Sequence, residues 1–187
     1  MLARASSKAD TEKRILQAAE RLFGEQPYPQ VRLEDIAAAA GVSPPTVIHR
    51  YGSKEALMGS VASFAQERVL KQRGEAPAGD LVGAIANLVD HYERWGDRTV
   101  HLLSQETAVP VIREVTYRGR AIHAEWVERT FAGWLPRSGP SRRRRLSQLI
   151  ALTDVYVWKV LRRDRRLSRP ETEAAMREMV SALLGSR

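Results

Sequence analysis

The sequence predicts an all-α protein. Apolar residues recur three and four apart along nearly the whole chain, no stretch sustains period-two alternation, and Pro110, Pro136, Pro140 and Pro170 fall at or just before the starts of helical segments. The 187 residues, 43% of them hydrophobic, suffice to bury a core, as one domain or as a small domain attached to a larger one. With no cysteine there is no disulfide framework, thiolate metal site or cysteine nucleophile. Residues 1–14 lack the apolar core of a secretion signal, and no apolar run approaches the ~20 residues of a membrane span. A cytoplasmic protein with no membrane partner is expected.

The first helix is expected to open at Asp10 or Thr11 and to place Ile15, Ala18, Ala19, Leu22 and Phe23 on one face. Gly24 and the stretch Gln26-Pro27-Tyr28-Pro29 end it. Two short helices follow up to Tyr51, and Ser53 can cap a long helix running to about Arg73. Gly74 to Gly79, with Pro77, breaks the pattern, and further helices are expected over 80–95, 98–107, 111–135, 141–163 and 170–184. This divides the chain near residue 55 into a small module, 1–55, and a larger helical body, 56–187.

A net charge of +8 invites a nucleic-acid partner, but its distribution does not support the inference directly. Residues 1–57 hold eight Lys/Arg against seven Asp/Glu, whereas residues 137–169 hold eleven against two. The basic stretch therefore suggests either a solvated arginine face or a non-specific nucleic-acid surface, and the module must be judged on geometry.

Leu33, Ile36, Ala37 and Ala40 form an i, i+3, i+4, i+7 stripe over two helical turns. Gly41 then suits a left-handed C-cap, Val42 pins the turn, and Ser43 can cap a second helix whose first turn holds Pro44 and Pro45. Val47 and Tyr51 share the inner face of that helix. Pro45, Thr46 and His49 point away from them, with Ile48 and Arg50 on the flanks, an inventory suited to base edges in a major groove. Lys54 stands at the positive end of the next helix, where a phosphate would favour it. A purely structural helical hairpin has the same spacing.

The run from Ile36-Ala37 through Gly41-Val42-Ser43-Pro44-Pro45-Thr46 to Tyr51-Gly52-Ser53-Lys54-Glu55-Ala56-Leu57, preceded by the helix ending in Leu22-Phe23, resembles the N-terminal module of TetR-family transcriptional regulators over about residues 11–57. The resemblance implies a three-helix DNA-binding domain, a helical ligand-binding and dimerisation body, a homodimer on a palindromic operator, and repression relieved by a small molecule. It gives Thr46, His49, Arg50 and Lys54 as DNA contacts, with Pro45 shaping the start of the reading helix. Two positions depart from the family pattern. Arg32 stands where members carry a capping threonine or serine, and Ile48 where they carry a phosphate-contacting tyrosine. Arg32 can grip phosphate by charge, whereas Ile48 can only pack in the module or against a thymine methyl.

In the body, the segments 146–161 and 174–184 are apolar on more than one helical face, as a four-helix dimer interface requires, although a monomer burying both helices would show the same pattern. Leu149, Leu152, Tyr156, Val160, Met176, Met179, Val180 and Leu183 are the expected interface residues. Ligand contacts are sought among Tyr92, Trp95, Glu106, Tyr117, His123, Trp126, Asp154 and Tyr156. Asp154 stands out because it lies in an apolar helix and needs a donor, an arginine across a dimer, or water. The four histidines have no metal-ligand spacing, and no phosphate-binding loop, dinucleotide fingerprint or nucleophile elbow occurs. No metal, cofactor or catalytic set is expected, and a regulator is expected rather than an enzyme.

Overall fold

The computed structural model describes residues 2–185, with side chains from Lys8 onward. Among them there is no strand, and no helix is long and apolar enough to cross a membrane. The helices are α1 (Leu2–Glu25), α2 (Leu33–Ala40), α3 (Pro44–Tyr51), α4 (Lys54–Arg73), α5 (Leu81–Leu103), α6 (Pro110–Thr130), α7 (Gly139–Leu152), α8 (Val155–Lys159) and α9 (Arg169–Leu184). Short 3₁₀ turns lie at Tyr28–Gln30 and Ala132–Trp134, and a π turn at Val160–Asp164 follows α8. The described chain falls into two compact units, 1–68 with 101–116, and 69–100 with 117–187.

The first unit closes around Ile15, Ala19, Phe23, Ile36, Ala37, Val47, Leu57 and Met58, all nearly inaccessible to solvent. Ile112 joins this core, with Leu102, Val109, Val111 and Val115 packed against it. Gln105 Oε1 accepts the Tyr28 N–H at 2.7 Å, which ties the turn after α5 to the 3₁₀ turn after α1. The α1 stripe read from the sequence is the face that is buried. The helix begins earlier than the caps at Asp10 and Thr11 suggest, because nothing in residues 2–9 breaks a helix.

The second unit buries Ile85, Leu88, Val89, Tyr92, Trp126, Val127, Phe131, Leu149, Trp158, Met176 and Val180. Two helices expected from the sequence meet here as one, since α5 runs unbroken through Gly96. A Cβ at Gly96 would lie 2.4 Å from the Trp158 ring, so the glycine marks a close ring approach rather than a helix end. Conversely, the single helix expected over 141–163 divides. α7 stops at Thr153, and Asp154 restarts the chain as the N-cap of α8, its Oδ1 accepting the Tyr156 N–H at 2.8 Å. Ser168 and Glu171 form a reciprocal capping box that starts α9.

Candidate nucleic-acid interface

The turn between α2 and α3 is made by Gly41 in the left-handed conformation, φ 65° and ψ 41°. Its N–H and that of Val42 satisfy carbonyls at the end of α2, Val42 N donating to Ala37 O at 3.0 Å. Arg14, one helix away, donates from Nη1 to Ala40 O at 2.9 Å and completes the C-terminal cap. A long side chain on α1 thus closes the turn of the hairpin, which no local pattern announces because the partners are 26 residues apart.

α3 then presents two different faces. Val47 is inaccessible and Tyr51 half-buried, both against the core that contains Ile36. Pro45, Ile48 and His49 are exposed, Ile48 keeping 47% of its surface. Thr46 is half-buried, and its Oγ1 lies 2.9 Å from Ser43 Oγ. Ser43 therefore occupies the N-cap position without capping through its hydroxyl, which pairs with Thr46 instead of a backbone N–H.

The charged candidates divide in the same way. Arg32 sits at the N-cap of α2, makes no side-chain cap bond and is 75% exposed, with Glu34 3.8 Å from its Nε. Arg50 turns back onto α1, donating to Glu12 Oε2 at 3.1 Å and Lys8 O at 3.3 Å. Lys54 donates to Tyr28 O at 2.9 Å and Val31 O at 3.0 Å, and its ammonium stands 4.5 Å from the Tyr28 ring centroid. These contacts explain a lysine at the positive end of α4 without a phosphate. Arg32, Pro45, Ile48 and His49 form the open surface, whereas Arg50 and Lys54 are engaged within the module.

Part of the basic stretch in the second unit is paired. Arg142 meets Glu128 at 2.6 Å, Arg162 meets Glu93 at 2.9 Å, Arg163 makes a bidentate pair with Asp97, and Arg169 meets Asp90 at 2.6 Å. The π turn helps by inserting a residue into the helix, with Arg165 N bonded to Val160 O, while Arg162 and Arg163 both bond acids of α5. Asp97 is held below the usual carboxylate range, chiefly by its hydrogen bonds to Arg163.

Of the residues expected to meet a ligand, Tyr92, His123 and Trp126 are brought together in the second unit. Trp126 stacks on His123 at 5.6 Å, and Trp95 stands by, 5.0 Å from His91. Burial and then Arg73 push the His123 imidazole down to about 3, so it is neutral at ordinary pH. Arg73, which the sequence reading passed over, is the centre of this cluster. Glu106 lies in the other unit and accepts the Thr116 hydroxyl at 2.7 Å, Tyr117 is 70% exposed, and Asp154 is occupied as a helix cap. Among the expected interface residues, Leu149, Met176 and Val180 have no accessible surface and belong to the core of the second unit. Tyr156 and Val160 each keep 47% of theirs, and Leu152, Met179 and Leu183 are half-buried.

Residues 15–61 match the family model described as bacterial regulatory proteins, tetR family. The HTH-type transcriptional regulator UidR of Escherichia coli strain K12 is 32% identical over 95 residues, 48% of this chain and 47% of that protein. The chain thus spans about half the length of the curated relatives it matches. A transcriptional regulator from Rhodococcus sp. Rha1 superposes with a TM-score of 0.72 at 16% identity, over 92% of this chain and 95% of that one. AibR, solved in complex with isovaleryl coenzyme A and operator DNA, superposes with a TM-score of 0.66 at 16% identity, over 91% and 97%. The structural likenesses establish the fold, and residues 15–61, which hold the glycine turn and the two-faced α3, match the N-terminal module of the tetR family of bacterial regulatory proteins.

Proposed function

We propose that the chain is a sequence-specific DNA-binding transcriptional regulator, acting in the cytoplasm as a homodimer on an inverted-repeat operator from which a small-molecule effector releases it. In this reading residues 1–55 read DNA and 56–187 bind effector and partner. The observation that carries it is the division of α3 into a face sealed in the core at Val47 and Tyr51 and an open face at Pro45, Ile48 and His49. A short helix held rigidly from behind, with its opposite face free, is what a major groove admits. The names of the relatives support the same reading, since UidR is a transcriptional regulator and AibR was solved with operator DNA and an acyl coenzyme A.

Within that surface the roles divide by chemistry. Arg32, exposed beside the N-terminus of α2, grips phosphate. His49 reads base edges, joined by the half-buried Thr46 at the margin of that surface, and Ile48 offers an apolar contact to a thymine methyl. The exposed Tyr156 and Val160, with Leu152, Met179 and Leu183, supply the partner face, so that twofold symmetry pairs two reading helices. Pairing of Arg142, Arg162, Arg163 and Arg169 with carboxylates removes these four from a non-specific nucleic-acid surface over 137–169.

Binding measured on several duplexes over a range of salt tests these roles. Arg32→Ala is expected to weaken all duplexes about equally and to lower the salt slope by about one. His49→Ala is expected to change which duplex is preferred. The reverse pattern, with Arg32→Ala shifting preference and His49→Ala weakening every duplex alike, would remove the assignment.

A further inference from the structure

Arg73 ends α4 and keeps only 5% of its surface, yet among the described residues no aspartate or glutamate forms an ion pair with it. Its guanidinium lies 4.4 Å from the Trp126 ring centroid and 5.9 Å from that of Tyr92. Its Nη1 is 3.3 Å from His123 Nδ1, and the buried Nε proton has no acceptor. The polarity of this network follows from arginine's inability to accept. His123 Nδ1 must accept, its proton therefore sits on Nε2 and points to Thr153 Oγ1 at 3.1 Å, and Thr153 passes its own proton to Leu149 O at 2.7 Å. Tyr92 Oη donates to Thr153 O at 2.8 Å. Histidine, tyrosine and threonine are thus fixed as neutral groups around one buried cation.

A buried guanidinium without a counter-ion is unfavourable, and the carbonyl end of α4 offsets only part of the cost. Packing alone does not call for it, since a methionine fills similar space without the charge. A bound anion would supply the missing partner, and the Trp126 and Tyr92 rings beside the guanidinium would give a flat apolar body attached to that anion a surface to pack on. We propose that Arg73, Tyr92, His123 and Trp126 form a receptor for a small organic anion, a carboxylate or phosphate ester with a flat apolar body, its charged group on Arg73. As the identity of the effector, this rests on the effector reading above; as a binding site, it stands on the cluster alone.

The test uses the full chain without DNA, melted thermally at constant ionic strength with benzoate, phenyl phosphate, or neutral benzamide at millimolar concentration. The wild-type melting temperature is expected to rise with at least one of the two anions and not with benzamide, and which anion acts distinguishes carboxylate from phosphate ester. Arg73→Met is expected to lose the response to the anions. The proposal is overturned if neither anion stabilises the wild type, if benzamide does so equally, or if Arg73→Met responds to the anions like the wild type. Should Arg73→Met fail to fold, the wild-type comparison of the anions with benzamide decides. DNA binding is then read separately: anion-dependent stabilisation without release of DNA upholds the site and removes its effector role, and release by ligands that ignore Arg73 does the reverse.

Discussion

Trp158→Ala is expected to lower the unfolding free energy by about 3–5 kcal/mol, at the upper end of large-to-small core changes. Trp158 is fully buried, lies 5.9 Å from the Tyr92 ring and donates from Nε1 to Glu93 at 3.0 Å, so removal of the ring leaves both a cavity and an acceptor without its donor. The cavity cannot close easily, because the facing position is Gly96, which has no side chain to move into it. Denaturant titration checks this, with Tyr117→Ala as the control expected to change little because Tyr117 is 70% exposed. A loss below that of an exposed substitution would contradict the packing described for the second unit.

Lys54→Ala carries the next largest effect, a loss of about 3 kcal/mol, because two charge-assisted hydrogen bonds are each worth about 1.5–3 kcal/mol and both acceptors are left behind. Those acceptors, Tyr28 O and Val31 O, fix the turn that leads into α2. At a temperature where the variant is still folded, the salt slope of DNA binding is expected to stay that of the wild type. A slope lower by about one, with stability unchanged, would instead make Lys54 a phosphate contact.

The fold was legible wherever short-range patterns decide it. The α1 stripe, the Gly41 turn, the inner face at Val47 and Tyr51 and the Ser53 cap before α4 each depend on residues within a turn or two of one another. Errors arose where a distant partner decides. Gly96 reads as a break until Trp158 is seen to lie against it, 62 positions further along the chain. Asp154 is a local exception: the apolar run continues on both sides of it, yet it caps the helix that starts at Val155 by accepting the Tyr156 N–H.

The candidate site divides in the same manner. Which side of α3 faces outward followed from helical geometry, but the fates of Arg50 and Lys54 depended on Glu12 and on carbonyls more than twenty residues away. Leu149, Met176 and Val180 could not be told from partner-facing residues by periodicity, since one helix with two apolar faces does not reveal which face its own subunit covers. Arg73 gave no signal at all, because a cation in the last turn of a helix is ordinarily solvated and favoured there.

Selection from a pool of random duplexes at physiological salt is the most direct test of the central claim, that the open face of α3 reads DNA. The wild type is expected to enrich one short inverted repeat. The Thr46→Ala, His49→Ala double variant is expected to melt like the wild type and to lose or change that preference, because both residues lie away from the sealed face of α3. Enrichment of no sequence by the wild type, or of the same repeat by the folded double variant, would contradict it.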